Sequence, residues 1–120
     1  MKANELRIGN YVKCLNESRQ ILGVTKHNGT NETELHYAEF KGLFPMKLFH
    51  LKPILISFQW LNDLRFKKYP KHWGLHKGSV CFHENNVFYK GVDIGVKVKY
   101  VHELQNLYFA LTGKELEIKN

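Results

Sequence analysis

Apolar and polar positions alternate along the first 53 residues, the period of strands, before the pattern turns helical. Leu6 and Ile8 flank Arg7. Tyr11 to Leu15 and Gln20 to Thr25 form two β-rich runs about the polar turn Asn16 to Ser18, which is a hairpin signal. Asn28-Gly29, within His27 to Glu32, marks a second turn, and Glu34 to Phe40 sets Leu35, Tyr37 and Phe40 against polar neighbours. Pro45 and Pro53 break the next section, so Met46 to Leu51 is at best an edge strand. Short twisted strands in this number predict a curled antiparallel sheet or a small barrel.

At Ser57 the period changes. Ser57 is a helix cap, Phe58, Leu61, Leu64 and Arg65 recur at helical spacing, and Pro70 closes the pattern, which predicts a helix over 57–67. That helix places Arg65 to Lys68 in its last turn, where the macrodipole favours cations. Residues 80–100 return to strand. Val80 to His83 and Val87 to Lys90 flank Glu84-Asn85-Asn86 as a hairpin, and Gly91 to Tyr100 places Ile94, Val96, Val98 and Tyr100 on one face, with Lys97 and Lys99 on the other. The plainest helix covers 101–112. Val101, Leu104, Leu107, Tyr108 and Leu111 form its stripe, and Gly113 stands where a left-handed cap belongs. The tail Glu115 to Asn120 either adds an edge strand or frays. The expected fold is α+β: one small domain over 1–120, with an N-terminal sheet or barrel, a short central helix, a hairpin, and a C-terminal helix packed on the sheet.

Composition narrows the class. A chain of 120 residues with 43% hydrophobic and 13% aromatic content builds a core rather than a disordered segment. No apolar run approaches the roughly 18 residues of a membrane span, and the start carries Glu5 rather than an apolar signal region, so a cytoplasmic protein with no membrane partner is expected. Cys14 and Cys81 stand too far apart for a metal knuckle and are read as free thiols in a reducing compartment. The sequons at Asn16, Asn28 and Asn31 are then chance matches.

The formal charge of +7 lies in one region. Between Phe40 and His83 stand Lys41, Lys47, Lys52, Arg65, Lys67, Lys68, Lys71 and Lys77 against a single acid, Asp63, while the rest of the chain is balanced. The densest part, Leu64 to Gly78, has no acid and interleaves its cations with Phe66, Tyr69, His72, Trp73 and His76. Cations among rings suit phosphate contact with base stacking, and they suit an acidic protein surface equally well. A solvated loop with Phe66 and Trp73 as core anchors explains the same residues, and the sequence leaves Trp73 open between core and platform. The candidate binding residues are Arg65, Lys67, Lys68, Tyr69, Lys71, His72, Trp73 and Lys77.

Catalytic chemistry finds few candidates. His102-Glu103 opens HELQN, but Asn106 stands where a zinc-protease helix needs its second histidine. His72, His76, Cys81 and His83 supply four metal-capable groups within a short span, although Pro70 and Gly74 oppose a helical pairing of the two histidines. Cys81 and His83 as nucleophile and base lack an oxyanion loop, and a core cysteine is the plainer reading. GVDIG, at 91–95, has neither the lysine nor the helix start of a phosphate loop. No enzyme, cofactor or metal is therefore expected.

The termini carry a resemblance. The opening MKANELRIGNYV and the closing YVHELQNLYFALTGKELEI resemble the end signatures of a group of short uncharacterised proteins encoded by bacterial phages, prophages and mobile elements. Pro53-Ile54-Leu55-Ile56-Ser57 followed by Trp60-Leu61 looks like the central segment of such proteins, whereas Arg65 to Lys77 departs from them. The resemblance implies a mobile-element accessory protein and supplies no catalytic residues; Tyr108, Phe109 and Gly113 carry over only as fold markers. Accessory proteins of this kind include inhibitors of host defence, among them anti-CRISPR proteins. Three readings follow. The first is a non-enzymatic inhibitor that docks on a host nucleoprotein, such as an RNA-guided nuclease, by placing Lys67, Lys68, Lys71 and Lys77 against guide RNA or acidic effector walls. The second is a free-standing RNA- or DNA-binding protein using the same surface, and the third a metal-binding or catalytic protein built on His72, His76, Cys81 and His83.

Overall fold

The computed structural model describes residues 5–28 and 34–118. It contains three antiparallel sheets and two helices, so the α+β class holds. Its contacts divide the chain into two compact units, Met1–Ile54 and Leu55–Asn120.

In the N-terminal unit, β1 (Tyr11–Cys14) pairs with β2 (Glu17–Gln20). The turn between them is Leu15-Asn16, both at positive φ (52° and 63°), the twist that a two-residue hairpin needs. The expected partner run, Gln20 to Thr25, is corrected: the turn is one residue tighter, and β3 (Gly23–Asn28) opens a second sheet with β4 (Glu34–Glu39) and β5 (Met46–Lys47). β5 lies at the edge and gives way to a 3-10 turn over Leu48–His50. Of the turn expected over His27 to Glu32, His27 and Asn28 belong instead to β3, paired with Leu35 and Glu34, and the rest falls outside the described residues. Leu6 and Ile8 do not form a strand. Asn10, buried, accepts the Arg7 N–H at 2.6 Å through Oδ1, and the resulting turn leaves Ile8 exposed. Val12, Cys14, Ile21, Ala38, Phe40, Leu48 and Leu51 close the core of this unit.

In the C-terminal unit, β6 (Leu75–Lys77), β7 (Val80–His83), β8 (Asn86–Tyr89) and β9 (Val92–Lys97) form a sheet in chain order. Ser57 caps α1 (Phe58–Asp63), its Oγ accepting the Trp60 N–H at 3.2 Å. The helix is shorter than the expected 57–67. Arg65 takes φ +74°, its N–H reaches Asn62 O and that of Phe66 reaches Leu61 O, which is a Schellman cap with arginine where glycine is usual. Arg65 to Lys68 therefore lie beyond the helix, Pro70 does not end it, and Phe58 points to solvent. The single face expected for Ile94, Val96 and Val98 is also broken. A register shift opposite β8 and a left-handed Gly95, whose N–H binds the Asp93 carboxylate at 2.8 Å, leave Val96 exposed and Val98 buried.

α2 (Val101–Thr112) has the expected bounds. Glu103 Oε1 accepts the Lys99 and Tyr100 N–H groups at 3.0 Å, and Gly113, at φ +75°, donates to Phe109 O. Val101, Leu104 and Tyr108 are buried, together with two polar residues outside the apolar stripe, His102 and Gln105. Gln105 holds the tail: its Nε2 donates to Leu116 O at 2.9 Å, and Leu116 is buried rather than part of an edge strand. No helix among the described residues is long and apolar enough to cross a membrane.

Candidate nucleic-acid interface

The acid-free segment Leu64 to Gly78 is built as a loop fastened at its base. Leu64 and Phe66 are buried, and the Phe66 ring meets Tyr108 of α2 edge-on at 6.4 Å. Lys67 and His76 then exchange both backbone hydrogen bonds at 2.8 Å, so residues 68–75 project from a closed neck. Within the projection Tyr69-Pro70-Lys71-His72 is a β-turn, His72 N–H reaching Tyr69 O at 3.3 Å. Pro70 occupies the second position that its fixed φ favours, and Lys71, at φ +66°, occupies the third, where glycine is usual in a type II turn. Lys68 Nζ crosses the turn to His72 O at 2.7 Å.

Rings surround this turn. Tyr69 and His72 each approach His76 edge-on at 5.9 Å, and an open groove of about 460 Å³ is lined by Tyr69, Pro70, His72, His76 and Gly78. Trp73 rests on a separate bed, 4.7 Å from the Phe88 ring and 5.1 Å from that of His83. Its carbonyl receives His76 Nε2 at 3.0 Å. Gly74, at φ +76°, lets the loop return over β7, since a Cβ there would lie 2.8 Å from Cys81 Sγ and 2.9 Å from Phe82 O. Trp73 is 54% and Tyr69 46% exposed, which makes Trp73 a supported platform rather than a core anchor.

The eight residues singled out from sequence divide by what their side chains do. Arg65, Lys67, Lys68, Lys71 and His72 are exposed, and among the described residues the ammonium groups of Lys67 and Lys71 have no partner. Lys77 is half-buried, its Nζ bound to Leu64 O at 2.9 Å and 5.7 Å from the Tyr108 ring centre, so it ties β6 to the end of α1. Sequence reasoning missed Pro70 and Gly78 as groove walls and Phe88 as the bed of Trp73. Pro70, favoured at the second position of a turn, was the available sign of the turn, and Lys71 concealed it by standing where glycine is usual; Phe88 gave none, because its approach is a tertiary contact.

The metal and nucleophile readings find little geometry. Among the described residues no three His, Cys, Asp or Glu side chains come together as a metal site. His83 packs on Trp73, and Cys81, buried, directs Sγ toward Trp73 O at 3.7 Å. Burial pushes the Cys81 thiol upward and the Lys68 charge only partly opposes it, which disfavours the thiolate that nucleophilic attack requires. Comparison with protein-family models, curated proteins and solved structures finds no match for this chain.

Proposed function

We propose that this chain is a non-enzymatic accessory protein of a phage or mobile element that docks on a host nucleoprotein, of the kind of an RNA-guided defence nuclease, by laying its 68–75 loop along an exposed nucleic-acid strand. One observation carries the reading: the half-exposed rings of Tyr69 and Trp73 stand in the acid-free segment Leu64 to Gly78 with the ammonium groups of Lys67 and Lys71, which have no partner among the described residues. Stacking surfaces for bases and cations for phosphates are the two components of single-strand recognition. The backbone adds support. A lysine at φ +66° is a costly choice for a turn that glycine would satisfy, and strain of that kind accompanies functional side chains. The closed neck holds the loop before binding, which lowers the ordering cost of contact.

A tagged chain is used to capture partners from bacterial lysate with and without nuclease, beside a variant carrying Lys67→Glu, Lys68→Glu and Lys71→Glu. The reading expects one defined nucleoprotein that survives nuclease and is lost with the variant. Heterogeneous nucleic acid alone, released at moderate salt, supports the free-standing binder instead, and equal capture by the variant removes the loop from the interaction.

A further inference from the structure

The N-terminal unit holds a second cation arrangement, separate in sequence from the 68–75 loop. Lys13 and Lys52 exchange both backbone hydrogen bonds, at 2.9 and 3.0 Å, as an isolated antiparallel bridge. Residues opposed in such a pair project on the same face, with Cβ atoms about 5 Å apart, and like charges there are unfavourable. On the other side of β1, Lys13 faces neutral Ser18; the adjacent Glu17 is engaged by Arg19 at 2.9 Å; and neither lysine forms an ion pair among the described residues. Lys13 is also the one exposed position of β1, whose Tyr11, Val12 and Cys14 are buried.

The two lysines line a groove of about 350 Å³ together with Leu15, Asn16, Met46 and His50. Leu15 is 60% exposed at φ +52°, a turn position where asparagine or glycine is usual, so an apolar side chain is held toward water beside two cations that have no ion-pair partner among the described residues. Two lysines opposed across one bridge, beside an exposed apolar residue at positive φ, are a local arrangement of the sort that binding sites tolerate.

We propose that this groove binds a phosphomonoester carried on an apolar or flat body, with a nucleotide as the ligand class. Lys13 and Lys52 hold the phosphate, while Leu15 and Met46 pack against the body. A phosphomonoester carries close to two negative charges at neutral pH and so offsets both ammonium groups, which a single carboxylate does not. The groove volume sits at the small end of ligand sites, the size of a mononucleotide rather than of a folded partner. The phosphate can come from a free nucleotide or from the 5′ end of a strand.

The test titrates the full-length 15N-labelled chain with adenosine monophosphate, adenosine, and a short 5′-phosphorylated oligonucleotide beside its unphosphorylated form, and reads amide shifts. Adenosine monophosphate is expected to give saturable shifts at Lys13, Leu15, Asn16, His50 and Lys52, and Lys13→Gln or Lys52→Gln to weaken them about ten-fold, as loss of one charge-assisted contact requires. Each variant is also expected to melt close to the parent without ligand, because both side chains are exposed and neither forms an ion pair among the described residues. Shifts from the oligonucleotide only when it is 5′-phosphorylated identify a strand end as a second source, and their absence leaves the free nucleotide. The same shifts persist in the Lys67→Glu, Lys68→Glu, Lys71→Glu variant, so the site stands or falls apart from the docking loop. No shift with adenosine monophosphate, equal shifts with adenosine, or unchanged affinity in both Gln variants overturns the proposal.

Discussion

Trp73→Ala separates a stacking platform from a core residue in one experiment. A tryptophan buries up to about 250 Å² when enclosed. Trp73 keeps 54% of its surface, so just under half, roughly 110 Å², is covered, and at about 25 cal/mol per Å² the upper bound is near 3 kcal/mol. Correction for residual burial in the unfolded chain, and for the part of the surface that alanine still covers, brings the area term to about 1.5 kcal/mol. The edge contact with Phe88 at 4.7 Å contributes about 0.5 kcal/mol more. The expected cost is therefore about 2 kcal/mol in urea unfolding, below the roughly 3 to 5 kcal/mol of a core aromatic truncation. The effect on binding is the larger in proportion. Loss of one base stack is worth about 1 to 3 kcal/mol, or about 5- to 150-fold in Kd, measured by titrating the captured nucleoprotein against the immobilised chain; Trp73→Phe keeps a ring and most of the affinity. Destabilisation above about 4 kcal/mol with affinity unchanged in the folded fraction would make Trp73 a core residue and refute the platform.

Lys67, Lys68 and Lys71 changed together to Glu should leave unfolding free energy within about 1 kcal/mol, since only the Lys68 bond to His72 O is lost, while strand binding disappears; loss of both fold and binding contradicts this. Gly74→Ala should destabilise strongly, because a Cβ lies 2.8 Å from Cys81 Sγ and 2.9 Å from a backbone oxygen at φ +76°, and an unchanged melting temperature would refute the loop path. Leu104→Ala should cost about 2 to 5 kcal/mol and Leu107→Ala clearly less, as Leu104 is buried and Leu107 half-buried, by chemical denaturation. Burial, partly offset by Arg19 at Cys14 and by Lys68 at Cys81, raises both thiols above their ordinary 9.0. The folded chain thus keeps these protons to higher pH than the unfolded chain, so this contribution is complete below about pH 9 and falls as pH rises through the folded values, a decline that replacing both cysteines by alanine should remove from melting curves.

Much of the architecture was legible because its signals are local. Ser57 announced its cap, Gly113 its left-handed stop, and alternation over Glu34 to Phe40 placed β4. What escaped were turns made by unexpected residues. Leu15-Asn16, Arg65 and Lys71 adopt positive φ without glycine, and each moved a boundary: the first hairpin tightened, α1 ended early, and Pro70 became part of a turn instead of a helix stop. β6 was hidden inside the basic run because only its pairing with β7, at Leu75 with Phe82 and Lys77 with Val80, makes it a strand. The site was legible in composition but not in roles. Charge density marked Leu64 to Gly78, yet only geometry separates Lys77, tied to Leu64 O, from Lys67 and Lys71, whose ammonium groups have no partner among the described residues.

Ultraviolet crosslinking of the captured nucleoprotein with the intact chain, followed by mass mapping of the crosslinked peptides, tests the central claim at residue level. The account predicts nucleotide adducts on the 68–75 loop, at Tyr69, His72 or Trp73, that vanish with the Lys67→Glu, Lys68→Glu, Lys71→Glu variant. Adducts confined to other segments, or a captured complex that yields none on this loop, would contradict it.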